Sequence, residues 1–347
     1  MAQMTDNRLT NQLKRWQSLD DLLRYFSTET RCREFLFRIL YPDGLRCPKC
    51  GGIVIYRRHG DRAAGLRYKS GRTYRRPKGH SGPCYHCEEC NHNFSVTVNT
   101  IFHSTKLPLR KWFAAIWLMV NNRKGCNSCM LSRELGITQT TAWHMLHKIR
   151  RTMVQDESPL RGTVQVDAAY VGGQLRWVAS SRRKVSSLSA QGQDSAVRTP
   201  YLRNKVSVLG LIGDKLTMKV IPEGSWSNIR PILINHLDRD AIVHSDSGKE
   251  FMRIGQELRL LHLVCDHSKG QFVNDGVSTN RIEGAWSHLK RQAKGVYHLM
   301  PKKHAQRYID EFVWRWNARE LNAPDRAAAY FPNIRIKITW KDLEQPI

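Results

Sequence analysis

The pattern of hydrophobic positions divides the chain into a helical first part and a strand-rich second part. Within residues 12–40, apolar side chains recur three or four positions apart, which is the spacing of an amphipathic helix. Residues 107–121 are apolar on nearly every side and therefore predict a buried helix. Residues 126–153 predict two short helices around Gly136. Between these helical segments, residues 45–100 carry cysteine pairs and basic side chains instead of a helical pattern.

From residue 164 onwards the pattern changes to short runs that are rich in β-branched residues and bounded by turn residues. Such runs predict strands, and the helical spacing between and after them predicts an α/β fold for this part. Residues 179–200 contain six serines among basic residues, so we expect a mobile surface loop there. The predicted strands cover residues 164–171, 206–212, 216–221, 241–244 and 261–265, and the predicted helices cover 227–237, 278–293 and 301–320.

The charge of the chain points to a polyanionic partner. Its 347 residues include 56 Lys and Arg against 30 Asp and Glu, which gives a formal net charge of +26. No apolar run approaches the roughly 18 residues that a membrane helix needs, and residues 1–10 lack the apolar segment of a secretory signal. We therefore expect a cytoplasmic, nucleoid-associated protein that binds nucleic acid and no membrane.

Two cysteine pairs predict a structural zinc site. Two residues separate Cys47 from Cys50, and two residues separate Cys87 from Cys90. Two such turns present four thiolates to one Zn²⁺ ion in tetrahedral geometry. Cys84 stands three positions before Cys87 and offers an alternative second pair. We favour Cys90 over Cys84 because a strand is predicted soon after Cys90, as in a zinc ribbon.

Basic side chains are concentrated between the two cysteine pairs. Residues 57–78 contain nine Arg or Lys and a single acid, Asp61, and the tyrosines Tyr56, Tyr68 and Tyr74 lie beside or among them. Cations beside aromatic rings suit contacts with phosphates and stacking on bases. We therefore expect this loop, including Arg75 and Arg76, to bind DNA; a solvated loop without a partner is the alternative.

Residues 131–151 have the layout of a helix-turn-helix. Apolar positions pack two helices around a turn at Gly136, and Thr138 is placed to cap the second helix. In this motif the second helix reads DNA, so its polar and basic side chains are the predicted contacts. These side chains are Thr141, His144, Lys148 and Arg151.

Three carboxylates occupy positions that point to phosphoryl-transfer chemistry. Asp167 lies within the first strand of the second part, Asp246 lies just past the fourth, and Glu283 lies on a later helix. This order is the arrangement of the ribonuclease-H-like nucleases. Such a trio can hold two divalent ions, Mg²⁺ or Mn²⁺, about 4 Å apart. Each acid taken singly is equally compatible with a turn or cap residue.

The helix of Glu283 also carries basic side chains that are suited to DNA. Lys290 follows Glu283 by seven residues, about two helical turns, so both side chains share one face. The lysine can then hold a DNA phosphate while the glutamate holds metal. Arg291 and Lys294 continue this basic surface and are predicted DNA contacts as well.

At this point the sequence resembles a known family, the bacterial insertion-sequence transposases that join an N-terminal zinc ribbon to a DDE-type, integrase-like domain. The eukaryotic Merlin transposases are relatives of this group. The resemblance extends from about residue 18 to about residue 320. The motifs that carry it are residues 41–50, 100–102 with 106–109, 135–143, 166–173, 278–286 with 290–291, and 295–298 through 308–312.

The resemblance implies that Asp167 and Asp246 are the first two catalytic acids. Members of the group use Glu or Asn as the third residue, followed by Lys or Arg. Glu283 fits the seven-residue step to Lys290, and Asn280, about one helical turn earlier, remains the alternative third residue. Three departures from the usual pattern stand out in the sequence. They are Ala168 in place of a glutamate, Ser278 in place of a histidine, and the length of the loop 179–200.

Together these features predict the organisation and the function of the chain. We expect an α/β, ribonuclease-H-like catalytic domain of the integrase type, preceded by helical, zinc-ribbon and helix-turn-helix modules. The predicted segments are a helical segment 1–44, a zinc ribbon with a basic loop 45–105, a helix-turn-helix region 106–157, a catalytic domain 158–322 and a C-terminal tail 323–347.

The expected function is that of a DDE transposase. It would bind the terminal inverted repeats of its insertion sequence, cleave DNA with two Mg²⁺ or Mn²⁺ ions, and join the freed strand to target DNA as a homo-oligomer. One alternative is a DNA-binding regulator or an inactive transposase copy, which would have no need of the three acids and Lys290. Another alternative, an RNA-cleaving nuclease, leaves the helix-turn-helix without a role.

Overall fold

The computed structural model of the protein describes residues 16–58, 66–67, 73–74, 84–172, 205–265, 277–298 and 300–345. The predicted loop 179–200 and the predicted DNA contacts Arg75 and Arg76 lie outside these residues. The chain forms two compact units. The first contains Met1–Thr152 and Glu320–Glu344, and the second contains Met153–Arg319 and Gln345–Ile347.

The described residues form helices and strands along both units. In chain order they are α1 (Leu19–Tyr25), α2 (Glu29–Leu40), β1 (Ile55–Arg58), β2 (Leu66–Arg67), β3 (Thr73–Tyr74), β4 (Cys84–Cys87), β5 (His92–Ser95), α3 (Leu109–Asn121), α4 (Ser128–Leu135), α5 (Gln139–Arg150), β6 (Thr163–Val171), β7 (Val206–Ile212), β8 (Leu216–Ile221), α6 (Trp226–His236), β9 (Ile242–Asp246), α7 (Ile254–Leu258), β10 (Leu261–Cys265), α8 (Asn280–Gln292), a π-helix (Ala293–Tyr297), a 3₁₀ turn (Lys302–His304), α9 (Ala305–Asn317), α10 (Ala323–Tyr330), a 3₁₀ turn (Phe331–Ile334) and α11 (Trp340–Glu344).

Capping residues divide the helical pattern of residues 12–40 into two helices. Ser18 forms a capping box with Asp21 at the start of α1, and Phe26 ends that helix. The side chain of Thr28 then accepts a hydrogen bond from the backbone N–H of Arg31 and begins α2. A side chain that satisfies an unpaired N–H of the first turn favours a new helix start, so the pattern breaks here.

The first unit also contains the two helices that the sequence predicts around Gly136. Gly136 ends α4 with φ = +57°, a left-handed conformation that suits glycine. Two residues later the side chain of Thr138 accepts from the backbone N–H of Thr141 and begins α5. The local structure therefore agrees with the pattern, whereas the reading of α4 and α5 as a DNA-binding helix-turn-helix stays a prediction.

The segment 323–347, which we expected to be a tail, supplies part of the core of the first unit. Helix α10 and the 3₁₀ turn after it bring Phe331 against the rings of Phe35 and Phe113, with centroids 5.0 and 5.4 Å apart. Tyr330 is fully buried and shares a hydrogen bond of 2.6 Å with Thr152. Since these aromatic contacts are buried, residues up to 344 pack as part of this unit.

The second unit is built on a mixed five-stranded sheet in the order β10-β9-β6-β7-β8. Strands β6, β7 and β8 are antiparallel neighbours, and β9 runs parallel to both β6 and β10. Every residue of β7 is buried, as expected for a strand covered on both faces. This sheet and its helices confirm the α/β class that the sequence predicts.

Two apolar clusters cover the two faces of this sheet. Helices α8 and α9 cover one face through Ile282, Trp286 and Phe312, and α6 and α7 cover the other through Leu233 and Ile254. Both clusters include side chains of β7, which explains why its sequence is almost continuously apolar. Along the stretches that the structure describes, no helix is both long and apolar enough to cross a membrane.

Candidate functional site

Asp167 occupies the centre of the five-stranded sheet. It lies on β6, between β9 and β7, and stands opposite Gly210 in the register with β7. The backbone N–H of Ala168 donates to its Oδ1 at 2.7 Å, and the indole N–H of Trp286 donates to its Oδ2 at 2.8 Å. Both oxygens of this half-buried carboxylate therefore already accept a hydrogen bond from the protein.

Asp246 ends the neighbouring strand on the same side of the sheet. Strands β6 and β9 are parallel, and their last paired residues are Gln165 and His244. Two residues further along, β6 reaches Asp167 and β9 reaches Asp246. Because parallel neighbours advance together, Asp167 and Asp246 come to lie side by side on the two strands. The backbone N–H of Gly248 donates to Oδ1 of Asp246 at 3.1 Å and holds the carboxylate at the strand end.

Glu283 comes from the first turn of α8, the helix that packs on β6 and β7. Its side chain is exposed, while Ile282 and Trp286 on the same helix are buried. The hydroxyl of Thr279 donates to Oε1 of Glu283 at 2.8 Å. The buried face of the helix thus fixes where the glutamate projects, and Thr279 restrains its carboxylate.

Electrostatics connects the three acids. The pKa of Asp167 is raised to about 6: burial is the largest cause, the negative charges of Asp246 and Glu283 add to it, and hydrogen bonds from Ala168 and Trp286 oppose it. A carboxylate with these neighbours is one at which a cation relieves both desolvation and repulsion. Carboxylate oxygens are also the ligands that Mg²⁺ and Mn²⁺ prefer, so the donor set fits such an ion.

The ligand oxygens of the three acids do not converge as closely as the sulfurs of the cysteine cluster do. Within the described ranges, the only group of three or more candidate metal ligands whose ligand atoms all lie within 4.8 Å is a set of four cysteines. The ligand oxygens of Asp167, Asp246 and Glu283 therefore do not all lie within 4.8 Å of one another. Asn280, the alternative to Glu283, is the first residue of α8 and is likewise exposed.

The basic residues predicted on the helix of Glu283 lie at its far end. Lys290, Arg291 and Lys294 are all exposed. Lys294 belongs to the π-helix that continues α8, and Arg291 donates from Nε to the backbone oxygen of Ser287 at 3.1 Å. The three cations therefore form an exposed basic surface beyond Glu283.

Two further residues border the acids, and the sequence reading assigned neither a role. Trp286 lies three positions after Glu283 and reaches Asp167 with its indole. Glu250 lies beside Gly248, where a Cβ would stand 3.1 Å from its carboxyl carbon and 2.9 Å from Oδ1 of Asp246. In the sequence, Glu250 could have been found only by its spacing of four residues from Asp246, and Trp286 only by its place on the apolar face of α8.

The first unit brings together Cys47, Cys50, Cys87 and Cys90, whose sulfurs all lie within 4.8 Å of one another. The Sγ atoms of Cys47 and Cys90 are 3.6 Å apart, and those of Cys50 and Cys87 are also 3.6 Å apart. Four sulfurs about 2.3 Å from one Zn²⁺ ion in a tetrahedron would be separated by roughly 3.8 Å. The cluster is thus of the right size and chemistry for one zinc ion.

Backbone and side-chain contacts hold this cysteine cluster together. Burial acts to raise the pKa of the Cys47 thiol, but hydrogen bonds from the backbone of Cys50 and Lys49 outweigh it and lower the pKa to about 7. Glu89 accepts from the backbone N–H of Ile53 at 2.8 Å and so ties the second cysteine pair to the segment after the first. The structure places Cys84 differently: its Sγ donates to the backbone oxygen of Tyr85 at 3.8 Å.

The predicted DNA contacts on α5 are only partly accessible. Thr141 and Arg151 are half-buried, and Thr141 shares a hydrogen bond with Thr138. The ring of His144 lies against Trp340 of α11, with centroids 3.7 Å apart. Lys148 is half-buried and donates to the backbone oxygen of Ile101 at 3.4 Å. The C-terminal helix thus covers part of the face that the sequence assigns to DNA.

Comparison with known proteins shows that this chain is similar to transposases of mobile elements. Residues 159–317 match the model of the ISXO2-like transposase domain. The chain is 23% identical over 273 residues to an uncharacterized protein in transposable element ISH50 of Halobacterium salinarum, which covers 78% of this chain and 84% of that protein. It is 26% identical over 109 residues to an uncharacterized transposase-like protein of Haemophilus influenzae, covering 31% of this chain and 86% of the relative.

The cysteine geometry predicts which substitutions remove zinc. Cys47→Ser should leave the purified protein without stoichiometric zinc, because the remaining three thiolates no longer close the tetrahedral site. Cys84→Ser is the matched control and should retain one zinc per chain, since its sulfur lies outside the cluster. Elemental analysis after purification measures both. Loss of zinc from Cys84→Ser, or retention in Cys47→Ser, would contradict this ligand set.

The raised pKa of Asp167 predicts a stability that depends on pH. The folded pKa of about 6 exceeds the ordinary value of 3.8, so ionised Asp167 opposes folding above pH 6 and not below pH 3.8. With a chelator present, Asp167→Asn should increase the free energy of unfolding at pH 7.5 by about 1–3 kcal/mol. The gain should vanish at pH 3.5.

Urea unfolding at both pH values checks this expectation. Asp214→Asn is the control, because Asp214 is an exposed aspartate of the same unit, in the turn between β7 and β8. A gain of equal size at pH 3.5 and 7.5, or no gain at pH 7.5, would show that burial of the Asp167 charge does not govern this difference.

Proposed function

We propose that the chain is an insertion-sequence transposase that binds the terminal inverted repeats of its element and catalyses DNA strand cleavage and strand transfer. The match of residues 159–317 to the ISXO2-like transposase domain and the similarity to a protein of a transposable element support this proposal. The observation that carries the catalytic part is the half-buried Asp167 carboxylate, whose pKa is raised by the charges of Asp246 and Glu283. The placement of these acids also supports a ribonuclease-H-like, integrase-type domain.

In this proposal the three carboxylates hold divalent metal. Asp167, Asp246 and Glu283 offer oxygen ligands beside one another on the sheet and the helix that covers it, and their mutual repulsion favours a bound cation. Two bound Mg²⁺ or Mn²⁺ ions would supply activation of the attacking oxygen and stabilisation of the leaving oxygen. Lys290, exposed two helical turns beyond Glu283, would contact a phosphate of the DNA.

The reaction consists of two phosphoryl transfers. In cleavage, the oxygen of a water molecule bonds to phosphorus, and the bond to the 3′ oxygen breaks, which releases a 3′-hydroxyl. In strand transfer, that hydroxyl attacks a phosphate of target DNA and displaces a second 3′ oxygen. Because both steps place negative charge on similar oxygens, one set of carboxylates can serve both.

Recognition of DNA is assigned to the basic surfaces. The net charge of +26 favours a polyanionic partner, and the exposed Lys290, Arg291 and Lys294 place part of this charge beyond Glu283. In the first unit, α5 would read bases and the zinc-binding segment would contact phosphates. We propose that both transposon ends and target DNA are bound, and that the protein acts as a homo-oligomer on them.

Catalysis and DNA binding should separate in the acid variants. Asp246→Asn and Glu283→Gln should slow Mg²⁺-dependent cleavage of a labelled transposon end by at least about a hundredfold. Each variant removes a carboxylate that would hold the metal ions, and those ions would stabilise the charge at the reacting phosphate. Both should bind that DNA as tightly as wild type, since a negative charge facing phosphate is removed. Asn280→Ala is the control and should cleave close to the wild-type rate.

A cleavage assay and a gel shift on the same preparations test this proposal. Cleavage by Asp246→Asn at the wild-type rate would contradict the catalytic assignment. Loss of cleavage in Asn280→Ala but not in Glu283→Gln would make Asn280 the third ligand. A wild-type protein that binds its DNA and never cleaves it with Mg²⁺ or Mn²⁺ would instead be a regulator.

Lys148 tests the assignment of α5 to DNA recognition. If α5 reads bases, Lys148→Ala should weaken binding to the transposon end by about tenfold and binding to random duplex much less. Lys106→Ala removes the same charge from an exposed position outside α5 and should weaken both duplexes equally. Equal losses for Lys148→Ala on both duplexes would make it a phosphate contact.

A further inference from the structure

The indole of Trp286 fills a space that only glycine leaves open. Gly210 stands opposite Asp167 on β7, between the larger residues Leu209 and Leu211. A Cβ on Gly210 would lie 2.7 Å from Cζ2 of Trp286, closer than nonbonded carbon atoms approach. The absence of a side chain at this one position therefore lets the indole lie on the sheet and reach across to β6.

The contact between Trp286 and Asp167 has a defined direction. An indole N–H is only a donor, so it favours the ionised, accepting form of the carboxylate. The bond joins Nε1 of Trp286 to Oδ2 of Asp167 at 2.8 Å, and the backbone N–H of Ala168 occupies Oδ1 at 2.7 Å. With one donor on each oxygen, rotation of the carboxylate costs at least one buried hydrogen bond.

A second bond from the same strand fixes the start of α8. Gln165 lies two residues before Asp167, and side chains two apart on a strand share one face of a sheet. Its Oε1 accepts from the backbone N–H groups of Arg281 and Ile282 at 3.0 and 3.1 Å. Thr279, at the N-cap position, makes no side-chain capping bond, so Gln165 supplies the cap from β6.

These contacts hold α8 on both sides of Glu283. Gln165 binds the helix at residues 281 and 282, and Asp167 binds it at Trp286, so Glu283 lies between the two attachment points. The helix that supplies one candidate ligand is thereby fastened to the strand that supplies another. A shift of α8 along β6 would break both attachments together.

We propose that Trp286 is a positioning residue, which fixes the Asp167 carboxylate in the orientation that binds a divalent ion and keeps Glu283 in place beside it. The inference rests on the proposed function, in which Asp167 and Glu283 are metal ligands. Partners that orient ligands in this way typically contribute about 10- to 100-fold to metal affinity. The space at Gly210 and the cap by Gln165 support the same arrangement.

The test compares two tryptophans that make the same bond. Trp286→Phe keeps an aromatic ring in the core and removes the N–H. The matched control is Trp226→Phe, because the indole of Trp226 donates to Glu257 at 2.8 Å in the same unit, away from the three acids. By calorimetry of the full-length protein with MnCl₂, Trp286→Phe should bind Mn²⁺ about tenfold more weakly than wild type. Trp226→Phe should match wild type.

A spectroscopic measurement separates positioning from general stability. In ¹⁵N-labelled wild type, the indole N–H resonance of Trp286 should shift on addition of Mg²⁺, because its acceptor becomes a metal ligand. The resonance is assigned by its absence from Trp286→Phe, or by its displacement in Asp167→Asn if the first variant does not fold. The Trp226 resonance should not move with Mg²⁺.

The outcomes distinguish this inference from the function beneath it. Weaker Mn²⁺ binding in Trp286→Phe, together with the shifted indole resonance, supports the positioning role. Wild-type affinity in Trp286→Phe with an unmoved resonance overturns the positioning role and leaves the metal site intact. A wild-type protein that binds no Mn²⁺ overturns the proposed metal site and the positioning role with it.

Discussion

The second unit depends on the burial of one negative charge in the middle of its sheet. Asp167 lies on the strand that joins the antiparallel and the parallel halves of the sheet, where a polar residue would be expected least. Burial there, together with the negative charges of Asp246 and Glu283, raises the pKa of the carboxyl to about 6. A bound cation would offset this cost in stability, because it stabilises a desolvated carboxylate that has like-charged neighbours, and the proposed metal site rests on this.

The same constraint explains how α8 is attached. The helix must bring Glu283 to Asp167 without burying the glutamate, so its apolar side chains pack on the sheet while its polar face carries the acid and then the basic residues. Gly210 provides the close approach, and hydrogen bonds from Gln165 and Trp286 fix the position of the helix on the strand. The core on this face thus serves both the fold and the placement of the candidate ligands.

The sequence predicts elements and chemistry well where both are local. The strand containing Asp167 and the spacing of the four cysteines are readable because side-chain period and ligand spacing act within a few residues. The sequence could not predict the contacts of Trp286, Gln165 and Glu250, because each contact depends on how separate elements pack in three dimensions. The C-terminal segment shows the same limit: we expected residues 323–347 to form a tail, yet Phe331 packs with Phe35 from nearly the other end of the chain.

We propose that the three carboxylates of Asp167, Asp246 and Glu283 together hold divalent metal. Diffraction from crystals soaked in MnCl₂, collected at the manganese absorption edge, tests it most directly. We expect anomalous density between the carboxylates of Asp167, Asp246 and Glu283, with the indole N–H of Trp286 still donating to Asp167. Anomalous density elsewhere in the second unit, with none beside Asp167 at saturating Mn²⁺, would contradict it.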